Sequence, residues 1–155
     1  MKSLKIIICC FYLLCPFAIA GEEATFVPVV KLFSALSDAN HSGMRSAVTD
    51  NFTLLEHGEI WDMNTLTNLV KPSKKQRKNF FSIISSETMG NSAFINYWNK
   101  AEVHDGDSKT EYIWLESVVV YKVNGEWKLQ QMHSTRVEAE NAPKDIKFTA
   151  SYVKT

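Results

Sequence analysis

His133 is the side chain best suited to proton transfer near neutral pH, and its neighbours say where it should point. It lies in the run Trp127-Lys128-Leu129-Gln130-Gln131-Met132-His133-Ser134-Thr135-Arg136. Strict alternation puts Trp127, Leu129, Gln131, His133 and Thr135 on one face of a strand, and the apolar start of that row assigns it to the interior. His133 is then expected at the mouth of a cavity, as a ligand contact or proton carrier; the plainer reading is a core imidazole satisfied by a carbonyl. The stretch before it carries two rows, Tyr112, Trp114, Glu116, Val118, Val120 and Ile113, Leu115, Ser117, Val119, Tyr121, either of which could face inward. If the first does, Trp114 supplies an aromatic wall. Glu116 becomes a carboxyl in an apolar cavity, where a raised pKa would suit acid or base work. The alternative for Glu116 is a structural pairing with Arg136. Glu56, His57 and Trp61 surround a turn at Gly58, and Trp98 sits in a third alternating run. The four tryptophans of the chain could stack on a ligand or simply fill a core.

Other chemistries lack their residues. Three imidazoles, His57, His104 and His133, could in principle hold zinc, but no H-x-H or H-E-x-x-H spacing occurs, and no metal site is expected. A G-x-S-x-G elbow and a phosphate-binding glycine loop are missing too. The reading is of a domain without a cofactor.

The elements that must position these residues can be traced along the chain. Phe26, Val29, Val30, Phe33 and Leu36 recur at helical spacing within 22–39, with Pro28 near the helix start. Ser42 is expected to cap a short second helix through Met44, Ala47 and Val48. Residues 52–57 read as a strand, 60–62 as a short return strand and 63–70 as another helix. Residues 71–78, with Pro72 and five basic side chains, read as an exposed, solvated connection. Long strands follow over 79–89 and 92–104, and then a hairpin over 110–138. Its Asn124-Gly125 pair offers the positive φ angles of a type I′ turn. Helices followed by an antiparallel meander predict an α+β fold, with N-terminal helices packed on a strongly curved antiparallel sheet that forms a cone-shaped cavity. Phe148, Ala150 and Tyr152 alternate in the 141–155 tail, which is expected to add an edge strand or fray.

The first twenty residues read as a signal peptide. Lys2 and Lys5 precede an apolar run to Phe17, and Ala18-Ile19-Ala20 is a small-x-small cleavage pattern. The run falls short of the roughly 18 to 20 residues that span a bilayer, and neither Cys10 nor Cys15 follows a small residue as lipidation requires. Cleavage near Ala20 would therefore give an exported, periplasmic or secreted domain with no stable membrane anchor. Cys9, Cys10 and Cys15 would leave with the peptide, so packing alone would have to stabilise residues 21–140. The remaining chain carries two more acidic than basic residues, which argues against a nucleic-acid partner.

The order of elements resembles the nuclear transport factor 2-like superfamily, particularly its small exported bacterial members. The resemblance runs from about Phe26 to Val137. It is carried by Val48-Thr49-Asp50-Asn51-Phe52, by Glu56-His57-Gly58-Glu59, and by the closing Asn-Gly-Glu-Trp-Lys-Leu-Gln-Gln-Met-His-Ser-Thr-Arg. It implies helices over a cone-shaped sheet and a homodimer through the outer sheet face, but the fold hosts enzymes and non-catalytic modules alike. Three functions are therefore expected: binding of a small, partly apolar molecule, with His57, Trp61, Trp98, Trp114, Glu116 and His133 as contacts; an isomerase- or dehydratase-type enzyme using His133 with Glu116 or Glu56; and an assembly module whose cone is filled by its own side chains. The Asp base with its Tyr and Asp oxyanion hole, known from ketosteroid isomerase, cannot be placed here.

Overall fold

The computed structural model describes residues 20–150, so the expected signal segment lies, apart from Ala20, outside the described residues. Helix α1 (Ala20–Ser37) lays Phe26, Val29, Val30, Leu32 and Phe33 on the sheet and carries Pro28 within it. Helix α2 (His41–Ser46) is capped by Asn40, whose Oδ1 accepts from the Gly43 amide at 2.9 Å and also from the Ser42 hydroxyl at 2.8 Å. The expected cap, Ser42, is thus a partner of the real one. Strand β1 (Val48–Glu56) turns at Gly58 into β2 (Glu59–Trp61), and α3 (Met63–Leu69) follows, capped by Asp62. Then come β3 (Gln76–Met89), β4 (Ser92–Asp105), β5 (Ser108–Val123), β6 (Glu126–Val137) and a short β7 (Thr149–Ala150).

The seven strands form one sheet in the order β2-β1-β6-β5-β4-β3-β7. The meander β3 to β6 is antiparallel as expected, and Asn124 and Gly125 take φ of 52° and 87° at its last turn. Strand β1, however, joins β6 in parallel, so the sheet is mixed. The tail does add an edge, Thr149 and Ala150 pairing with Phe81 and Phe80.

Two irregularities decide which side chains face the helices. Between β5 and β6, Val120 pairs with Leu129 but Val119 pairs with Gln131, so Gln130 is an extra residue. Such a bulge reverses the facing of everything beyond it. Inward-facing residues therefore run Trp127 and Leu129, then Met132, Ser134 and Arg136. Gln130 is held by β1, its Oε1 accepting from Thr49 Oγ1 at 2.7 Å and its Nε2 donating to the Asn51 carbonyl at 3.1 Å. A second shift, between Ile83 and Ser85, makes Ile84 the extra residue of β3.

The wide part of the cone is packed with aromatics. Phe26 meets Tyr97 edge to face at 5.0 Å and Phe81 at 5.4 Å, and Phe33 lies 5.5 Å from Phe81. Such contacts add about 0.5–1.5 kcal/mol each beyond the area they bury.

Candidate functional site at the mouth of the cone

What remains of the cone is a pocket of about 90 Å³. Its apolar wall comes from Leu32 and Phe33 of α1, Leu54 of β1 and Met132 of β6. Its polar side is formed by Glu56, Arg77, Trp114, Glu116 and Ser134. At about 30 Å³ per water, that space suits a group of a few heavy atoms.

Alternation, with the bulge, explains the polar set. Asn79 on β3, Asn99 on β4, Glu116 on β5 and Ser134 on β6 all point inward and are buried. They form one hydrogen-bonded chain across four strands. Arg77 Nε donates to Asn79 Oδ1 at 3.0 Å, Asn79 Nδ2 to Asn99 Oδ1 at 2.8 Å, and Asn99 Nδ2 to Glu116 Oε2 at 3.3 Å. Ser134 Oγ closes the chain by donating to Glu116 Oε1 at 3.1 Å. The Tyr97 hydroxyl faces the same carboxyl, close enough to interact with its charge, but without a hydrogen bond of good geometry. Burial pushes the Glu116 carboxyl up to about 7, against the opposing pull of the nearby Tyr97 hydroxyl and of the Asn99 and Ser134 donors, and the Glu56 charge adds to the rise. Glu116 is therefore divided between its two protonation states at neutral pH.

Two guanidiniums flank Trp114. Arg77 lies 5.3 Å from its ring and 5.9 Å from that of Phe33, while Arg136 lies 5.0 Å from Trp114 and 4.2 Å from Tyr112. Burial lowers the Arg77 pKa, and the charge of Glu116 partly offsets this. Among the described residues, no ion pair within 4.0 Å involves Arg77, Arg136 or Glu116. Arg136 Nε is buried and has no hydrogen-bond partner among the described residues. A guanidinium left in that state, with a second one on the same indole, favours an incoming anion, since buried polar groups are costly when unpaired.

The structure sorts the residues singled out from sequence. It brings Trp114, Glu116 and Glu56 together at the pocket. Trp61 is partly buried against the core, with its indole N–H donating to Glu59 at 2.6 Å. His57 is exposed at the β1–β2 turn, and Trp98 lies on the outer face of β4. His133 also corrects the expectation. Beyond the Gln130 bulge it faces outward, exposed, beside Leu55 and Ser117, so it does not meet Glu116 inside the cone. His133→Gln is accordingly expected to leave the melting temperature unchanged, a surface effect of less than about 0.5 kcal/mol. A larger loss in a thermal melt would return His133 to the core.

Arg77 was hidden in a basic run read as loop. Residues 71–75 are indeed exposed, but Gln76 opens β3 and the next residue turns inward. The signal that could have found it is the alternation Arg77, Asn79, Phe81 continued back from the strand. Arg136, in contrast, had been considered as a partner for Glu116.

No protein-family model matches the chain, and no curated protein does so significantly. Solved structures do. A ketosteroid isomerase-like protein from Erwinia carotovora atroseptica SCRI1043 aligns with a TM-score of 0.60 at 13% identity, covering 76% of this chain and 96% of that one. The association domain of C. elegans CaMKII aligns at 0.59 and 16% identity, covering 74% and 97%. An NTF2-like protein from Cytophaga hutchinsonii ATCC 33406 aligns at 0.61 and 11% identity, covering 76% and 98%. With helices over a curved mixed sheet and solved structures of this shape, the chain has the nuclear transport factor 2-like α+β fold.

Proposed function

We propose that this domain, exported by virtue of its leader pattern, binds a small anionic molecule at the mouth of the cone, with a carboxylate or comparable group between Arg77 and Arg136. The observation that carries this is the pair of guanidiniums held against one indole with no carboxylate of the described residues within ion-pairing distance. Trp114 fixes both cations, and the apolar wall of Leu54 and Met132 suits an aliphatic remainder. Protonation of Glu116 removes a competing negative charge, so anion affinity should rise as pH falls through about 7. The test is a titration with propanoate, followed through the Trp114 indole N–H signal, in the wild type and in Arg77→Gln and Arg136→Gln. Saturable shifts at millimolar concentration are expected, with affinity lowered about tenfold or more in either variant, as when a charged hydrogen-bond partner worth about 1.5–3 kcal/mol is removed. Absence of a saturable shift in the wild type would refute the reading.

A second reading, homo-oligomeric assembly, is favoured by the outer sheet face. Phe94, Leu115 and Tyr121 are exposed there at 40–43%, with Trp98 beside Leu115. One of the structural neighbours is itself an association domain. Sedimentation of the wild type against Leu115→Asp decides this, because a dimer through that face should dissociate when a charge is buried in it.

A further inference from the structure

A second, larger depression adjoins the pocket. It encloses about 770 Å³ between the end of α1, the end of α3 and the first residues of β3, and it shares Leu36 and Arg77 with the pocket. The floor is apolar, from Leu36, Val70 and Val103, with Leu69 60% exposed at its edge. The rim is basic. Lys71, Lys74 and Lys78 line it and, among the described residues, make no ion pair within 4.0 Å, while Lys75 is taken by Asp105 at 3.1 Å; the acidic side chain on the lining is Asp38.

The sequence of environments is therefore a guanidinium at the inner end, an aliphatic floor, and ammonium groups at the outer end. A fatty monocarboxylate matches only the first two, and its tail would end among lysines. A compact polyanion matches only the rim and leaves the apolar floor uncovered. We infer that the ligand is an elongated dianion with an aliphatic middle, such as a medium-chain dicarboxylate, one end held at Arg77 and the other by Lys71, Lys74 and Lys78. This rests on the anion-binding reading of the pocket mouth and extends it by naming the ligand class. The second anionic group acts as a tethered second binding event, which raises affinity without a new deep pocket. The rim contacts are solvent-exposed, so their share should weaken with added salt.

The test is calorimetric titration of the wild-type domain with octanoate and with the dicarboxylates from butanedioate to dodecanedioate. These are repeated on Arg77→Gln, on the triple variant Lys71→Gln/Lys74→Gln/Lys78→Gln, and on Lys31→Gln/Lys122→Gln/Lys144→Gln as a control for net charge. The expected result is an optimum of chain length at which the dicarboxylate binds at least about tenfold tighter than its monocarboxylate. That advantage should vanish in the triple variant, persist in the charge control, and be lost together with octanoate binding in Arg77→Gln. Octanoate binding without any dicarboxylate advantage overturns the inference and leaves the pocket reading standing. An advantage that survives the triple variant also overturns it. Failure of every carboxylate to bind the wild type overturns both.

Discussion

Between pH 5 and pH 8 the wild-type domain is expected to lose stability that Glu116→Gln does not lose. The Glu116 carboxyl is raised from an ordinary 4.5 to about 7 in the folded chain. Across the interval between those values the native state holds a proton that the unfolded state has released, so stability falls as pH rises. The contribution is fully present below about 4.5 and is lost by the time pH has passed through about 7. At 1.36 kcal/mol per unit, the whole drop is about 3 kcal/mol, a large part of the 5–15 kcal/mol typical of a domain. Asp62 and Glu102 behave oppositely. Asp62, exposed, is held below its usual range by the Thr65 amide, and Glu102, half-buried, by Lys100, so their stability is lost only as pH falls below the window. The charged or titratable groups around Glu116 are Tyr97, Glu56 and Arg77, with Arg136 acting on Arg77, and all remain in the variant. A glutamine at this position can still accept from Asn99 and donate to Ser134 Oγ, which retains the polar chain while removing the proton. Subtracting the denaturation curves of wild type and variant at each pH cancels the histidines and isolates Glu116. A difference that is flat from pH 5 to 8 would mean that water reaches the carboxyl and that burial does not set its pKa.

The Glu116 result bears on what was legible in the chain. The row Tyr112, Trp114, Glu116, Val118, Val120 could be written from alternation, and the hairpin that carries it from Asn124-Gly125, because both signals are local. Facing on the partner strand was not legible, since the residue that reverses it, Gln130, is held by Thr49 and Asn51, 81 and 79 positions earlier. Nothing in the spacing near His133 reports a contact at that distance. The parallel join of β1 to β6 has the same cause, a long-range pairing with no sequence pattern of its own. Arg77 was lost for a different reason. Basic residues on either side gave the segment the composition of a solvated loop, and composition outweighed the alternation that places Arg77 with Asn79 and Phe81. The polar side of the pocket that results is built from Arg77, two carboxyls, Glu56 and Glu116, and Ser134. A histidine and a set of tryptophans were the more conspicuous features of the sequence.

Phe81→Ala should be the most destabilising single change in the cone and should also enlarge its pocket. Phe81 is 2% exposed and touches the rings of Phe26, Phe33 and Tyr97, at 5.4, 5.5 and 6.0 Å. Truncating a buried phenylalanine costs about 3–5 kcal/mol, part from lost transfer energy and part from the cavity left behind. Because that approaches the total stability of a small domain, the measurement is best made by urea denaturation in the cold, with Phe81→Leu as a milder companion. The companion matters for function. The pocket now offers about 90 Å³, well below the roughly 300 Å³ of sites for larger ligands, because these rings occupy the rest of the cone. If the cone is a binding cavity narrowed by its aromatics, Phe81→Leu should admit branched carboxylates that the wild type rejects, while Arg77 and Arg136 still hold the anionic end. If the aromatics are only a core, the variant should lose stability and bind nothing new. A Phe81→Ala domain as stable as the wild type would contradict the packing itself, since it would mean that the cone is not closed around that ring.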